Sequence, residues 1–414
     1  MCIGIFKKEN FEIVNNPEDA EIIVVNTCGF IESAKEEGIQ TILEMADYKE
    51  DKCKYLIVTG CLVERYEEEL RKEMPEVDLF VSIKDYDELW RKIDNLVNNK
   101  NENDKLSYKH RVLTTGDTMA YLKIAEGCSN YCTYCAIPYI QGKYISRKYE
   151  DILDEANMLA KKGIQELVVI AQDTTKYGLD LYGKMRLPEL LNDLCKIDGI
   201  KWIRFLYSYP ESITDELIEV VKNNDKICKY FDLPIQHISD DVLKKMNRKS
   251  DGNTIRNLIS KLRTEIPNVI LRTTLITGFP GETENDFNEL CEFVKESKFD
   301  RLGAFSYSAE DGTPAAKFPN QIEEDIKIFR RNTVMEIQQN VSLNNLKSKV
   351  GNIYECIIEN ITDDGDYIAR SYMDVPSEDG VIYVKYNPEY MVNEFVNVKI
   401  TNSDEYDLFG EIID

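Results

Sequence analysis

The stretch YLKIAEGCSNYCTYCAIP, residues 121–138, joins a short apolar strand to a loop carrying Cys128, Cys132 and Cys135. Three cysteines are one short of a closed site, because a structural zinc takes four protein ligands and a ferredoxin cluster four thiolates. The spacing C-x3-C-x2-C matches neither the paired C-x2-C of zinc ribbons nor a four-cysteine ferredoxin run. The fourth position is left either to a residue elsewhere in the chain or to a ligand that is not protein.

What surrounds the loop decides the fold. From residue 119 to 348, short β-rich runs (YLKIAEG, ELVVIAQ, KWIRFLYS, YFDLPIQ, VILRTTLITGF, RLGAFSYS) alternate with helical patterns such as EDILDEANMLAKKG and ENDFNELCEFVKES. About six strand–helix units predict a parallel sheet curled into a partial (β/α)6 barrel. In such barrels ligands sit at the C-terminal ends of the strands, and the cysteine loop directly follows the first one. A long helical pattern, EEDIKIFRRNTVMEIQQNVSLNNLKSKV, closes the segment.

Two further segments flank it. Residues 1–97 contain two apolar strands that end in cysteines, EIIVVNTCGF at Cys28 and YLIVTGC at Cys61, each followed by a helical pattern. This is an α/β, flavodoxin-like arrangement, joined to the barrel by a polar linker over residues 98–118. Residues 349–414 change to short strands (YECIIEN, DYIARSY, GVIYVKY, FVNVKI) between turn residues, which predicts a small β-barrel.

At 414 residues the chain is long enough for two or three domains. No apolar run approaches a membrane span, and the N-terminus lacks a basic-then-apolar signal pattern. Eleven cysteines, an odd number, argue against a disulfide framework and place the chain in the reducing cytoplasm. The formal net charge of −24 is unlike that of a protein built to bind nucleic acid.

The motifs VVNTCGFI, VTGC, EGCSNYCTYCAIPYIQGKYISR, AQDTTKYG, FLYSYP, DLPIQHIS, LRTTLITGFPGE and YDLFGEI resemble, over nearly the whole length, the methylthiotransferases of the radical S-adenosylmethionine superfamily. The resemblance implies a [4Fe–4S] cluster held by Cys128, Cys132 and Cys135, with S-adenosylmethionine on its open iron. It also implies an external reductant, a sulfur donor and a C-terminal TRAM barrel. A second [4Fe–4S] cluster would be held in the first domain by Cys28, Cys61 and a third cysteine. In the family that third cysteine follows an opening strand. Here MCIGIFKKENFEIV begins in what is the family's first helix, so the opening strand is missing from the expected fold, and Cys2 lies past the expected ligand position.

Other residues carry two readings each. Gln172 and Asp173, at the mouth of the second barrel strand, match positions where relatives hold the cofactor's amino group. His237 either touches cofactor or substrate, or is a hydrogen-bonded structural histidine. Gly278, in GFPGE, either lets backbone approach the cofactor or only makes a tight turn. Arg147 and Arg272 could pair with a carboxylate. Cys53, Cys195, Cys228, Cys291 and Cys356 are isolated and read as core residues.

The AQDTTKYG stretch and the SEDGVIYV turn favour the branch of the family that methylthiolates an aspartate of ribosomal protein S-twelve over the branch that modifies tRNA adenosine. From Gly351 to Asp414 there are 15 acidic and 3 basic residues. Such a surface repels phosphates and suits a basic protein, so no tRNA binding is expected. The terminal barrel is expected to hold that protein at the mouth of the larger barrel.

Overall fold

The computed structural model describes residues 2–99, 107–114 and 116–413. Part of the expected linker, residues 100–106 and 115, lies outside the described residues. The chain divides into two compact units, one of Met1–Thr114, Gly127–Tyr144 and Ser308–Ala316, the other of Thr115–Glu126, Ile145–Tyr307 and Lys317–Asp414.

The first unit is built on a parallel sheet of β1 (Ile22–Thr27), β2 (Tyr55–Gly60) and β3 (Leu79–Val81), in that order. Leu56 and Val58 pack with α2 (Glu32–Asp47) and α3 (Cys61–Glu73). Ile57 packs with α1 (Cys2–Lys8) and α4 (Leu89–Asn98). Both faces of β2 are therefore covered, which is why YLIVTG reads as a continuous apolar run. Sequence patterning did not mark β3, only three residues long, nor α4.

The second unit contains six parallel strands in two sheets. One is β4 (Met119–Lys123), β5 (Glu166–Ile170) and β6 (Trp202–Phe205); the other is β7 (Tyr230–Asp232), β8 (Ile270–Thr277) and β9 (Arg301–Ser306). Backbone bonds from Cys228 N–H to the Ile203 carbonyl and from Ser208 N–H to the Asp232 carbonyl join the sheets where β6 meets β7. This is the expected partial (β/α)6 barrel. A 24-residue helix, α5 (Glu324–Lys347), packs beside β8 and β9.

The C-terminal segment is a closed barrel of β10 (Ile353–Ile361), β11 (Tyr367–Ser371), β12 (Ile382–Val384), β13 (Phe395–Ser403) and β14 (Leu408–Ile413). The fifth strand, β14, was carried only by the YDLFGEI motif. This barrel packs against the N-terminal ends of the larger barrel's strands. Trp202, first in β6, meets Phe395 edge-to-face at 4.8 Å, and Tyr230, first in β7, donates its hydroxyl to Asp379 at 2.6 Å. The expectation that the small barrel holds substrate at the mouth is corrected here. It closes the end opposite to the C-terminal edge from which the cysteine loop departs, because its apolar residues share one core with Met119, Trp202, Tyr230 and Ile270.

A buried charge network locks this junction. Glu166 is fully buried between Arg204, at 3.2 Å, and Arg370 of β11. Burial raises the Glu166 carboxyl, but Arg370 and Arg204 outweigh it and the net shift is downward. Glu166→Gln removes the one anion between two buried guanidinium groups. The expected loss is about 3–5 kcal/mol, read as a lower urea midpoint of the second unit. Since the folded value is depressed, the pair's contribution is present above the unfolded carboxyl value of about 4.3. It is lost as pH falls from there through the folded value, so the difference between wild type and Glu166→Gln shrinks in acid.

Candidate active site

Three sequence-predicted groups can be placed: the cysteine loop, the cysteine pair of the first sheet and the polar residues after the barrel strands. The loop is folded by its own backbone. Cys128 N–H donates to the Gly142 carbonyl at 3.1 Å, and Cys135 N–H to the Cys132 carbonyl at 3.1 Å. Tyr144 N–H donates to the Ser129 hydroxyl at 3.1 Å. Cys128 and Cys132 are buried, Cys135 is half-buried, and Tyr131 between them sits at φ +51. From Gly127 to Tyr144 there is no Asp, Glu or His, so the loop offers thiols alone, a donor set suited to iron–sulfur chemistry. Among the described residues no three His, Cys, Asp or Glu groups converge on one metal ion. A cubane does not ask them to, since each thiolate takes its own iron.

Cys28 and Cys61 lie at the same edge of the first sheet, after β1 and β2. Gly60 makes this possible: its φ is +111, and a Cβ there would come within 2.2 Å of the Thr27 carbonyl oxygen. Burial pushes the Cys61 thiol up and the facing Cys28 thiol adds to it, while a bond with the Gly29 backbone works the other way. Cys28 is exposed and Cys61 half-buried. Cys2 instead packs against the apolar cluster of Ile5, Phe6 and Trp90. The isolated cysteines are as expected: Cys53, Cys228, Cys291 and Cys356 are buried and Cys195 half-buried, with the Cys228 thiol pushed up to about 11 by burial.

After β5, Asp173 is fully buried, accepts the Thr175 hydroxyl at 2.5 Å and faces Lys176 at 3.4 Å, with Gln172 beside it. His237, after β7, is also fully buried. Its Nδ1 accepts the Ser239 N–H at 3.0 Å and its Nε2 lies 3.6 Å from Glu282. Glu282 closes the GFPGE turn, accepting the N–H groups of Gly278 and Phe279 and pairing with Arg330 at 2.7 Å. Gly278 has φ +71, and a Cβ there would meet the Lys327 side chain at 2.3 Å. The close approach it permits is to helix α5. Glu282 was missed as a hub because an acid in a turn looks like any solvated acid.

Arg147 is taken by Glu155 at 2.7 Å and by the Lys123 carbonyl. Arg272 faces Asp232, Asp379 and Glu378 at 3.5–3.9 Å, on the side of the small barrel. The carboxylates these arginines meet are the chain's own. Two strained residues escaped the sequence altogether: Tyr207 after β6 at φ +59 and Gln236 after β7 at φ +73. Left-handed backbone is uncommon outside glycine and concentrates at functional edges. Neither residue type announces it.

Comparison with known proteins fits this geometry. Residues 122–294 match the model of the radical SAM superfamily, residues 1–82 that of the uncharacterized protein family UPF0004, and residues 350–413 that of the TRAM domain. The ribosomal protein uS12 methylthiotransferase RimO of Alkaliphilus oremlandii is 63% identical over 99% of this chain and 94% of that protein. The RimO proteins of Clostridioides difficile and Acetivibrio thermocellus are 52% and 49% identical, each over 100% of this chain and 95% and 94% of theirs. The chain belongs to the RimO family.

The RimO assignment agrees with the fold neighbours. The radical S-adenosylmethionine methyltransferase TsrM of Kitasatospora setae, solved with cobalamin and a [4Fe–4S] cluster, superposes with a TM-score of 0.55 at 11% identity. The match covers 72% of this chain and 63% of that one, and at such identity it speaks for the fold alone. The expected α/β architecture of this RimO-family chain, with its radical SAM barrel and TRAM domain, stands.

Proposed function

We propose that this chain is a radical S-adenosylmethionine methylthiotransferase that places a methylthio group on the β-carbon of an aspartate in ribosomal protein uS12. What carries the reading is the thiol-only loop Cys128–Cys135, which follows the first barrel strand in the sequence, in a chain 63% identical to a RimO protein. Cys128, Cys132 and Cys135 would hold one [4Fe–4S] cluster, and Cys28 and Cys61 would contribute to a second. When bound, the loop's cluster and S-adenosylmethionine supply a carbon radical able to take hydrogen from an unactivated carbon.

The chain's own residues do the positioning. The backbone bonds of the loop fix where the three thiols point. Buried Asp173 and half-buried Lys176 present a polar wall at the mouth of β5, where Gln172 and Asp173 would receive the cofactor's amino group. His237 and Gly278, enclosed with Glu282, shape the neighbouring turn from behind. The reaction further requires an external reductant and a sulfur donor, and the setting is cytoplasmic. Among the described residues no helix is long and apolar enough to cross a membrane.

Part of the acidity of the TRAM barrel is spent internally. Asp374 pairs with Arg301 and Asp379 with Arg272, both of the larger barrel. Exposed Glu355, Asp363, Asp364, Glu389 and Glu411 still outnumber exposed Lys385 and Lys399. That surface favours a basic protein partner over tRNA, through encounter and orientation rather than through chemistry. Replacing Asp363 and Asp364 with Lys is expected to slow uS12 modification at low salt and to matter less as salt rises. Deoxyadenosine formation without substrate stays as in wild type. Mass spectrometry of uS12 from a deletion strain tests the function itself: the methylthio group should be missing and return on complementation.

A further inference from the structure

The segment Ser308–Ala316, SAEDGTPAA, follows the last barrel strand yet belongs to the unit that contains the first sheet and the cysteine loop. It is folded on itself. The Thr313 N–H and hydroxyl both donate to the Glu310 carbonyl, at 3.2 and 2.7 Å, and the Ser308 hydroxyl donates to Glu310 Oε1 at 2.8 Å. Glu310 is buried, and its Oε2 has no hydrogen-bond partner. That oxygen lies 3.7 Å from Lys35 Nζ on α2 and 3.8 Å from Arg65 on α3. A buried anion is thus held between two cations of the first domain, which offsets its desolvation.

Arg65 does more than neutralise. One arm of its guanidinium donates to the Gly29 carbonyl at 2.7 Å, beside Cys28. The other donates to the Asp311 carbonyl at 2.8 Å. Its neighbour Tyr66 leaves helical geometry (φ −135, ψ 29) and donates its hydroxyl to Asp311 Oδ2 at 2.9 Å. Consecutive residues of a regular helix point about 100° apart, so the distortion is what brings both side chains onto one segment. At the far end of that segment, Ala315 N–H donates to the Thr133 carbonyl at 2.9 Å. Thr133 lies in the span between Cys132 and Cys135.

The bonds form one continuous chain: Cys28–Gly29, Arg65, Asp311 to Ala315, Thr133. We propose that Arg65 is a positioning residue that holds the Cys28–Cys61 edge in register with the Cys128–Cys135 loop through the segment Ser308–Ala316. The proposal rests on reading those cysteines as two cluster sites. Group transfer between two centres depends on their fixed separation, and a slack of an ångström is costly. Arg65 reaches the two carbonyls from two separate nitrogens held rigidly in one plane, a span that the single nitrogen of an ammonium does not reproduce, so a lysine at 65 keeps the charge but not the register.

The test compares Arg65→Met and Arg65→Lys with Arg71→Met, an exposed arginine of the same helix. In metal-free full-length protein, hydrogen exchange of peptides covering 308–316 and 132–136 should rise about tenfold or more in both Arg65 variants, as loss of charged hydrogen bonds implies. The sheet peptides and the Arg71→Met protein should not change. After reconstitution, methylthio product per deoxyadenosine formed should fall by a similar factor in both Arg65 variants. A purely structural role would lower both products together and leave that ratio intact. Unchanged exchange, or faster exchange with an unchanged ratio, overturns the proposal. If wild-type enzyme modifies no uS12 at all, the functional reading has failed, and the exchange result alone then decides whether Arg65 holds the segment.

Discussion

Replacing Cys128, Cys132 or Cys135 with Ala is expected to abolish deoxyadenosine formation from S-adenosylmethionine and to leave a folded chain. Both halves of this outcome follow from the loop. Each thiolate is expected to carry one iron of a cubane, so two remaining thiolates hold the cluster poorly and the open iron loses its geometry. The bonds that fold the loop, from Cys128 N–H to Gly142 and from Cys135 N–H to Cys132, use backbone groups that alanine keeps. Removing a buried thiol costs about 1 kcal/mol of packing, small beside the stability of a chain with this much core. Chromatography of the nucleoside product under dithionite measures the first half, and circular dichroism the second. Wild-type yields of deoxyadenosine from any of the three variants would defeat the assignment.

The second large effect separates the two cysteine sites. Cys28→Ala and Cys61→Ala should reduce methylthio transfer below detection while deoxyadenosine still forms, because the loop is untouched. Iron content should drop by up to one cluster. Cys2→Ala should leave iron content unchanged, since Cys2 packs against Phe6 and Trp90 in an apolar cluster. Iron counting with Mössbauer spectroscopy distinguishes these cases. If Cys2→Ala removes as much iron as Cys61→Ala, then Cys2 is the third ligand and the helix must rearrange on metal binding.

The strands and the cysteine loop were legible because their signals are local. A run such as YLIVTGC states its own burial, and three thiols in one loop state their own chemistry. The fold's long-range features were not. Arg272 reads as a candidate carboxylate partner, and only the docking of the small barrel shows that Asp379 and Glu378 meet it. In the same way, the 15 acids of the TRAM segment read as one surface until Asp374 is seen against Arg301. The three-residue strand β3 is too short to show a period, and it is paired by its register with Ile57 to Thr59 rather than by its own pattern. Arg65 and Glu310, 245 positions apart in the chain, could not have been linked by spacing at all.

The central claim is that this chain modifies a ribosomal protein, not RNA. The direct measurement incubates the reconstituted full-length protein with S-adenosylmethionine, dithionite and a sulfide source, offering purified uS12 and tRNA in parallel, and analyses both by mass spectrometry. The account predicts that uS12 gains one methylthio group in place of a hydrogen on an aspartate β-carbon, with tRNA unmodified. A methylthio group on a tRNA adenosine, with uS12 unchanged, would contradict it.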